Sequence, residues 1–189
     1  MDETKFSTRG TLYVIACASR PAQRIQEFVT LAQEAGWEVC IIVTPQATKF
    51  VDIPHLEKLT GYPVRSEYKR PEEPDVLPRA NAIVVYPATF NTLNKWVLGI
   101  SDTLAVGLLC EYTGLKMPIL AIPCVPTASG LDSHPAFFRS IETLRHFGIH
   151  IIYEPEKCPP KNEVPWEVVL DELEVICRKE GIRTSSLEE

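Results

Sequence analysis

The chain has 189 residues, 45% hydrophobic and 23% charged, the balance of an ordinary globular domain rather than of a disordered segment. Nineteen Lys and Arg against 25 Asp and Glu leave a net charge of −6, a field that repels polyanions and argues against nucleic acid as a partner. At roughly 100–200 residues per domain, the length predicts one domain over 1–189, with a core over about 10–153 and a C-terminal helix and tail over 154–189.

The N-terminus, MDETKFSTRG, has no apolar signal region before Leu12, and no apolar stretch approaches the roughly 20 residues that span a bilayer. The expected location is the cytoplasm, with no membrane partner. Six cysteines, at 17, 40, 110, 124, 158 and 177, form no CxxC pair and read as mostly reduced core residues, with no metal assigned.

In chain order, Thr11 to Cys17 is an apolar run of β-formers ending in the small turn Ala18-Ser19, a buried strand. Pro21 suits the first position of a helix whose apolar face is Ala22, Ile25, Phe28, Val29 and Ala32 and whose stop is Gly36. Trp37 to Val43 is the second strand. Residues 46–60 read as helical, and Pro63 to Pro78 as an irregular, charged surface excursion broken by prolines. Ala82 to Tyr86 is the third strand, followed by one long, weakly charged helix from Leu93 through Leu108. Pro118 to Ile122 is the fourth strand, 123–134 a loop, 135–147 a helix ending at Gly148, and Ile149 to Tyr153 the fifth strand. Beyond the proline-rich stretch 155–165, Trp166 to Arg178 fits a last amphipathic helix before a polar tail.

Continuously apolar strands alternating with helices predict an α/β fold, a doubly wound parallel sheet in three α/β/α layers, Rossmann-like with a flavodoxin-like strand order. Ligands of such sheets bind at the carboxyl ends of the strands, which directs attention to loops 17–21, 44–50, 86–92 and 122–134.

In the first loop, Ala18, Ser19 and Arg20 stand where backbone N–H groups and a helix N-terminus attract an anion such as phosphate, or where Ser19 simply caps the helix. GxGxxG is absent. Thr44 in the second loop either reaches the same phosphate or, with Gln46 as the other candidate, caps the next helix, and Phe50 is either ligand wall or core. The third loop, Pro87-Ala88-Thr89-Phe90-Asn91-Thr92, lets a planar ring approach backbone, with Asn91 able to donate and accept; the alternative is an N-cap at Asn91.

Together these loops resemble the flavoprotein family that includes phosphopantothenoylcysteine decarboxylase, the cysteine decarboxylases of lantibiotic peptides and flavin prenyltransferase. Ala18-Ser19-Arg20-Pro21-Ala22 stands in place of the family's Gly-Ser-Ile-Ala-Ala type loop. Val43 to Val51 reads as its VTxxAxxFV segment. Pro87-Ala88-Thr89-Phe90-Asn91-Thr92 with Lys95, Gly99-Ile100, Asp102 and Leu104 reads as PASANTxxKxxxGIxDxL, and His134-Pro135-Ala136 through Leu144 and Gly148 as HPA…LxxxG. The resemblance implies FMN. Its phosphate would lie at Ser19 and Thr44 beside Ala18 and Arg20, its ring near Phe50, with Pro87, Ala88, Thr89 and Asn91 bordering the isoalloxazine. It also implies a homo-oligomer, trimer or dodecamer, with the helix from Leu93 to Leu108 between subunits.

The resemblance breaks at the substrate residues. The decarboxylases carry a His before the third strand, where this chain has Glu73-Pro74-Asp75-Val76-Leu77, and PxMNxxMW after the fourth, where it has Pro123-Cys124-Val125-Pro126. The prenyltransferase's Arg and Glu fall near Gly107 and Cys124. What remains near the expected flavin is Cys124 as nucleophile or redox partner, His134 as acid, base or helix cap, and Ser129, Asp132 and Asp75. The first expectation is an FMN enzyme, oxidoreductase or decarboxylase-like lyase, acting on a small molecule or peptide side chain; the second is a non-catalytic FMN carrier or regulatory subunit. The third is a domain that binds another phosphorylated ligand.

Overall fold

The computed structural model describes residues 9–159 and 161–181; the expected polar tail and the N-terminal segment lie outside them. Five parallel strands, β1 (Gly10–Ala16), β2 (Trp37–Val43), β3 (Ala82–Ala88), β4 (Ile119–Pro123) and β5 (His150–Ile151), form one sheet in the order β2-β1-β3-β4-β5. This is the flavodoxin-like order of a doubly wound sheet. All seven residues of β3 are buried, as expected of a central strand covered on both faces.

Strand alternation divides the core. Leu12, Val14, Val84 and Leu120 pack with α1 (Ile25–Glu34), α2 (Ile53–Thr60) and α6 (Trp166–Lys179) on one face. Tyr13, Ile15, Ile83 and Ala121 pack with α3 (Phe90–Val97), α4 (Leu104–Gly114) and α5 (Pro135–His146) on the other. Because α1 and α3 leave neighbouring strands for opposite faces, a crevice opens at the carboxyl ends of β1 and β3, the usual ligand position in this topology. Among the described residues, no helix is long and apolar enough to cross a membrane.

Several expected elements differ. The single helix from Leu93 to Leu108 is two helices. α3 stops in a Schellman motif: Gly99, at φ +67°, donates to the Trp96 carbonyl and Ile100 to the Lys95 carbonyl. Thr103 then caps α4 through the Val106 N–H, and an ion pair between Lys95 and Asp102 spans the break. The apolar periodicity runs on through the turn, which hid it. The helix expected over 46–60 is a 3-10 turn (Pro45–Lys49) followed by α2, because Asp52 caps a new start and Pro54 sits in its first turn. The first helix likewise begins with a 3-10 turn (Arg20–Arg24). β5 pairs only at Leu120–His150 and Ala121–Ile151 before the chain diverges, shorter than the expected 149–153.

Candidate functional site

The four strand-end loops enclose one cavity of about 750 Å³, within the usual range for a small-molecule site. On the β1 and β2 side its wall is Ala18, Ser19, Arg20, Thr44, Gln46 and Phe50. Ser19 and Thr44 each precede a 3-10 turn in extended backbone, and neither hydroxyl caps it. Both capping alternatives therefore fail: among the described residues neither hydroxyl has a hydrogen bond, and both residues line one space at a helix-type N-terminus, a fitting cradle for an anion.

The middle wall comes from β3 and α3. Thr89, Asn91 and Phe90 line it, whereas Pro87 and Ala88 are buried behind. The Tyr86–Pro87 peptide is cis, and the Pro87 carbonyl accepts from the Cys17 N–H at 3.0 Å. That bond ties the β1 loop to the β3 loop. Asn91 does not cap α3. Thr89 occupies the N-cap position and shares a hydroxyl hydrogen bond of 3.1 Å with Thr92, whose hydroxyl also accepts from the Cys17 thiol at 3.2 Å. Asn91 lies one residue inside the helix, exposed, and its amide has no hydrogen bond among the described residues.

The β4 wall is built from two distant segments, the loop after β4 and the strap 154–165. Cys124, Val125, Leu131 and Lys161 line it. Its fastening is Asn162, fully buried at φ +58°. The Asn162 side chain donates to the Pro123 and Ile152 carbonyls at 3.0 and 2.9 Å and accepts from the Glu154 N–H at 2.8 Å. Two residues on, the Val164 carbonyl accepts from the Tyr86 hydroxyl at 3.0 Å, and the Trp166 ring packs 4.7 Å from that of Tyr86.

Cys124 lies in the wall, but burial, with Glu163 nearby, pushes its thiol well above the ordinary range, and Lys161 only partly opposes that. It rests as a thiol, donating weakly to the Asn162 carbonyl at 3.8 Å, whereas nucleophilic attack requires the thiolate. His134 is the N-cap of α5, its Nδ1 accepting from the Ala136 N–H at 3.1 Å, and its ring meets the edge of Phe90 at 5.4 Å. Asp132 accepts from the Ala128 N–H at 2.7 Å, and Ser129 donates to the Pro126 carbonyl; both bonds shape the loop. Asp75 is not brought to this cavity. It pairs with Lys69 at 2.9 Å beside a second cavity under the excursion 63–78. The sequence places Lys95 in the family motif without a site role, and Thr103 and Lys161 in none; all three line the cavity, and a cation inside a proline-rich stretch was the available sign of the last.

The chain matches the Flavoprotein family over residues 3–174. It belongs to that family. The bifunctional coenzyme A biosynthesis protein CoaBC of Mycolicibacterium smegmatis is 28% identical over 153 residues, covering 79% of this chain and 36% of the relative. The flavoprotein chain thus spans about a third of that relative's length. Among solved structures, the FMN-dependent cysteine decarboxylase SpaF is similar at a TM-score of 0.73 and 22% identity, covering 89% of this chain and 97% of that one. A PPC decarboxylase variant complexed with pantothenoylaminoethenethiol is similar at 0.74 and 19%, covering 89% and 98%.

Proposed function

We propose that this flavoprotein binds FMN in the 750 Å³ cavity and carries out redox or decarboxylase-like chemistry on a small molecule or peptide side chain. The observation that carries the reading is the convergence of Ser19 and Thr44, whose hydroxyls have no hydrogen bond among the described residues, on one cavity with Phe50 and Asn91. The residues fit the group. Ser19 and Thr44 hydroxyls and the Arg20 side chain would hold the phosphate, and the small Ala18 leaves room for the chain leading to the ring. Phe50 would offer an apolar face and Asn91 an amide to the ring's polar edge. When bound, FMN supplies the electron-accepting ring.

The protein's own part is orientation and a dry wall. Phe90, Val125 and Leu131 present apolar surface, and Cys124 adds a buried neutral thiol. Glu73 to Leu77 and Pro123 to Pro126 stand where the resemblance would place the decarboxylases' His and PxMNxxMW, and on this reading the handling of substrate falls to other residues. A homo-oligomer is part of the proposal, supported by the exposed Leu98, Ile100 and Phe138, and light scattering tests it.

The test is the visible spectrum of the purified chain and identification of the chromophore released by heat. Flavin bands with released FMN support the reading; a colourless chain that refuses added FMN ends it. Anaerobic bleaching by a thiol or carboxylate donor then separates the enzyme from the carrier, which exchanges FMN and bleaches with none.

A further inference from the structure

Close to its start α4 carries a glycine, Gly107, where alanine would be the better helix residue. The contact it permits is specific. A Cβ there would overlap the Tyr68 hydroxyl, and the three atoms nearest to it all belong to the Tyr68 side chain. Tyr68 is 55% exposed, so burial of its ring does not account for the approach. Its hydroxyl donates at 3.2 Å to the Thr103 carbonyl, which also accepts from the Gly107 N–H at 2.9 Å.

Tyr68 belongs to the excursion 63–78, whose ends are fixed elsewhere. At one end Arg65 pairs with the edge of β2, donating to the Ile41 carbonyl and accepting from the Val43 N–H. At the other, the Pro78 carbonyl accepts from the Tyr13 hydroxyl at 2.8 Å, and Leu77 packs against the core. Between them, the bonds of Lys69 with Glu73 and Asp75 and of Arg70 with Glu73 stay within the excursion. Among the described residues, the Tyr68 hydroxyl makes the only hydrogen bond from this middle part to another element. It meets α4 at its first turn. Thr103 caps that turn, and Thr103 and Val106 line the main cavity, whereas Leu104 and Leu108 line, with Tyr68, the second cavity beneath the excursion. The start of α4 is thus a partition between the main cavity and the excursion.

Resting on the FMN reading, we propose that Tyr68 is a positioning residue for the cofactor site: seated against Gly107, it fixes the first turn of α4 as the wall carried by Thr103 and Val106, so that docking of the excursion and filling of the main cavity favour each other. The coupling is reciprocal by necessity: whatever docking adds to FMN affinity, FMN adds to docking.

The experiment uses the full chain with FMN and reads two quantities, the FMN Kd and the rate of tryptic cleavage after Lys69. Gly107→Ala, which displaces the Tyr68 ring, and Tyr68→Ala, which removes it, are each expected to raise the FMN Kd about five-fold or more, with Tyr68→Phe, which keeps the ring and loses the hydroxyl bond, falling between them and the wild type. In the Tyr68→Ala background the added methyl no longer meets the tyrosine, so Gly107→Ala should change the Kd no further. FMN should slow cleavage after Lys69 in the wild type by about the same factor, and should give no such protection in Tyr68→Ala. A merely structural contact would lower the unfolding free energy and leave both quantities where they were. An FMN Kd unchanged in Gly107→Ala and Tyr68→Ala overturns the proposal, as does equal protection of the Lys69 bond in wild type and Tyr68→Ala. So does a Gly107→Ala effect that persists in the Tyr68→Ala background, which would place it in the helix itself. A wild type that takes no FMN ends the cofactor reading, and is seen before any variant is made; FMN held equally well by wild type and variants overturns the role of Tyr68 alone.

Discussion

The two ends of the cavity are made in different ways. At the β1 and β2 end, each wall segment is a strand followed at once by a 3-10 turn, with Ser19 and Thr44 at the junctions. Everything needed there lies within a few consecutive residues. At the β4 end, the loop after β4 meets a strap some forty residues further along, and Asn162 joins them. The first end is local and legible; the second depends on a contact that no short window of sequence contains.

The largest expected effect tests the local end. Replacing Ser19 and Thr44 together by Ala removes two hydrogen bonds to a charged group, about 1.5–3 kcal/mol each, and so raises the FMN Kd by roughly 10²–10⁴. Riboflavin has no phosphate, and its affinity should hardly change. The ratio of FMN to riboflavin affinity is thus a gauge of this end alone, and a ratio that survives the double substitution removes the phosphate assignment.

Asn162→Ala tests the other end. It strands the Pro123 and Ile152 carbonyls and the Glu154 N–H in a buried site and puts Ala at φ +58°, at a combined cost of about 3–5 kcal/mol. Asn162→Gly loses the same bonds without the backbone penalty and should be about 1 kcal/mol milder. Chemical denaturation measures both. Wherever these variants remain folded, the FMN to riboflavin ratio should stay at the wild-type value; a collapse of that ratio would mean that the two ends are one unit.

The same contrast explains what the sequence made visible. The strands, their order class and the Ser19, Thr44, Phe50 and Asn91 positions follow from short apolar runs and the residues next to them, and each of these residues lines the cavity. Pro87 and Ala88 were expected beside the ring and instead lie buried as the last residues of β3. The break at Gly99 escaped notice because Ile100 and Leu104 continue the helical period across it. Asp75 stands in the stretch that the resemblance sets against the decarboxylases' His, yet its partner is Lys69 on the same excursion. Lys161 and Asn162 were invisible because their importance is set by Pro123 and Ile152, distant in the chain and adjacent only in the fold.

The buried thiols give a kinetic version of the comparison. Cys17 lies under the β1 loop and Cys124 under the β4 loop, and burial raises both above the ordinary thiol range, so at pH 8 both rest protonated and shielded. Iodoacetamide should modify the half-buried Cys110 and Cys158 first. Asn162→Gly should speed alkylation of Cys124 about ten-fold or more by local opening while leaving Cys17 protected, as peptide mass mapping would show. Equal acceleration at both would mean global unfolding. The raised values also set the sign of the alkaline response. Cys40 is pushed up to about 12 and Cys177 to about 11, so the folded chain keeps protons that the unfolded chain releases. Stability should therefore fall above about pH 9, by about 1.4 kcal/mol per pH unit for each such thiol.

The smallest effect on stability is expected at the boundary between the ends, and it is the most specific to the flavin. Asn91 is exposed, sits inside the first turn of α3 and has no side-chain hydrogen bond among the described residues. Thr89 holds the capping position that Asn91 would need in order to matter to the helix. Asn91→Ala should accordingly change the unfolding free energy by no more than about 0.5 kcal/mol. If the amide faces the polar edge of the isoalloxazine, the same substitution shifts the visible bands or the redox potential of bound FMN, because it removes a hydrogen bond to the ring and nothing else. A flavin with unchanged spectrum and potential in a fully stable variant would place the ring away from α3, toward the β4 wall.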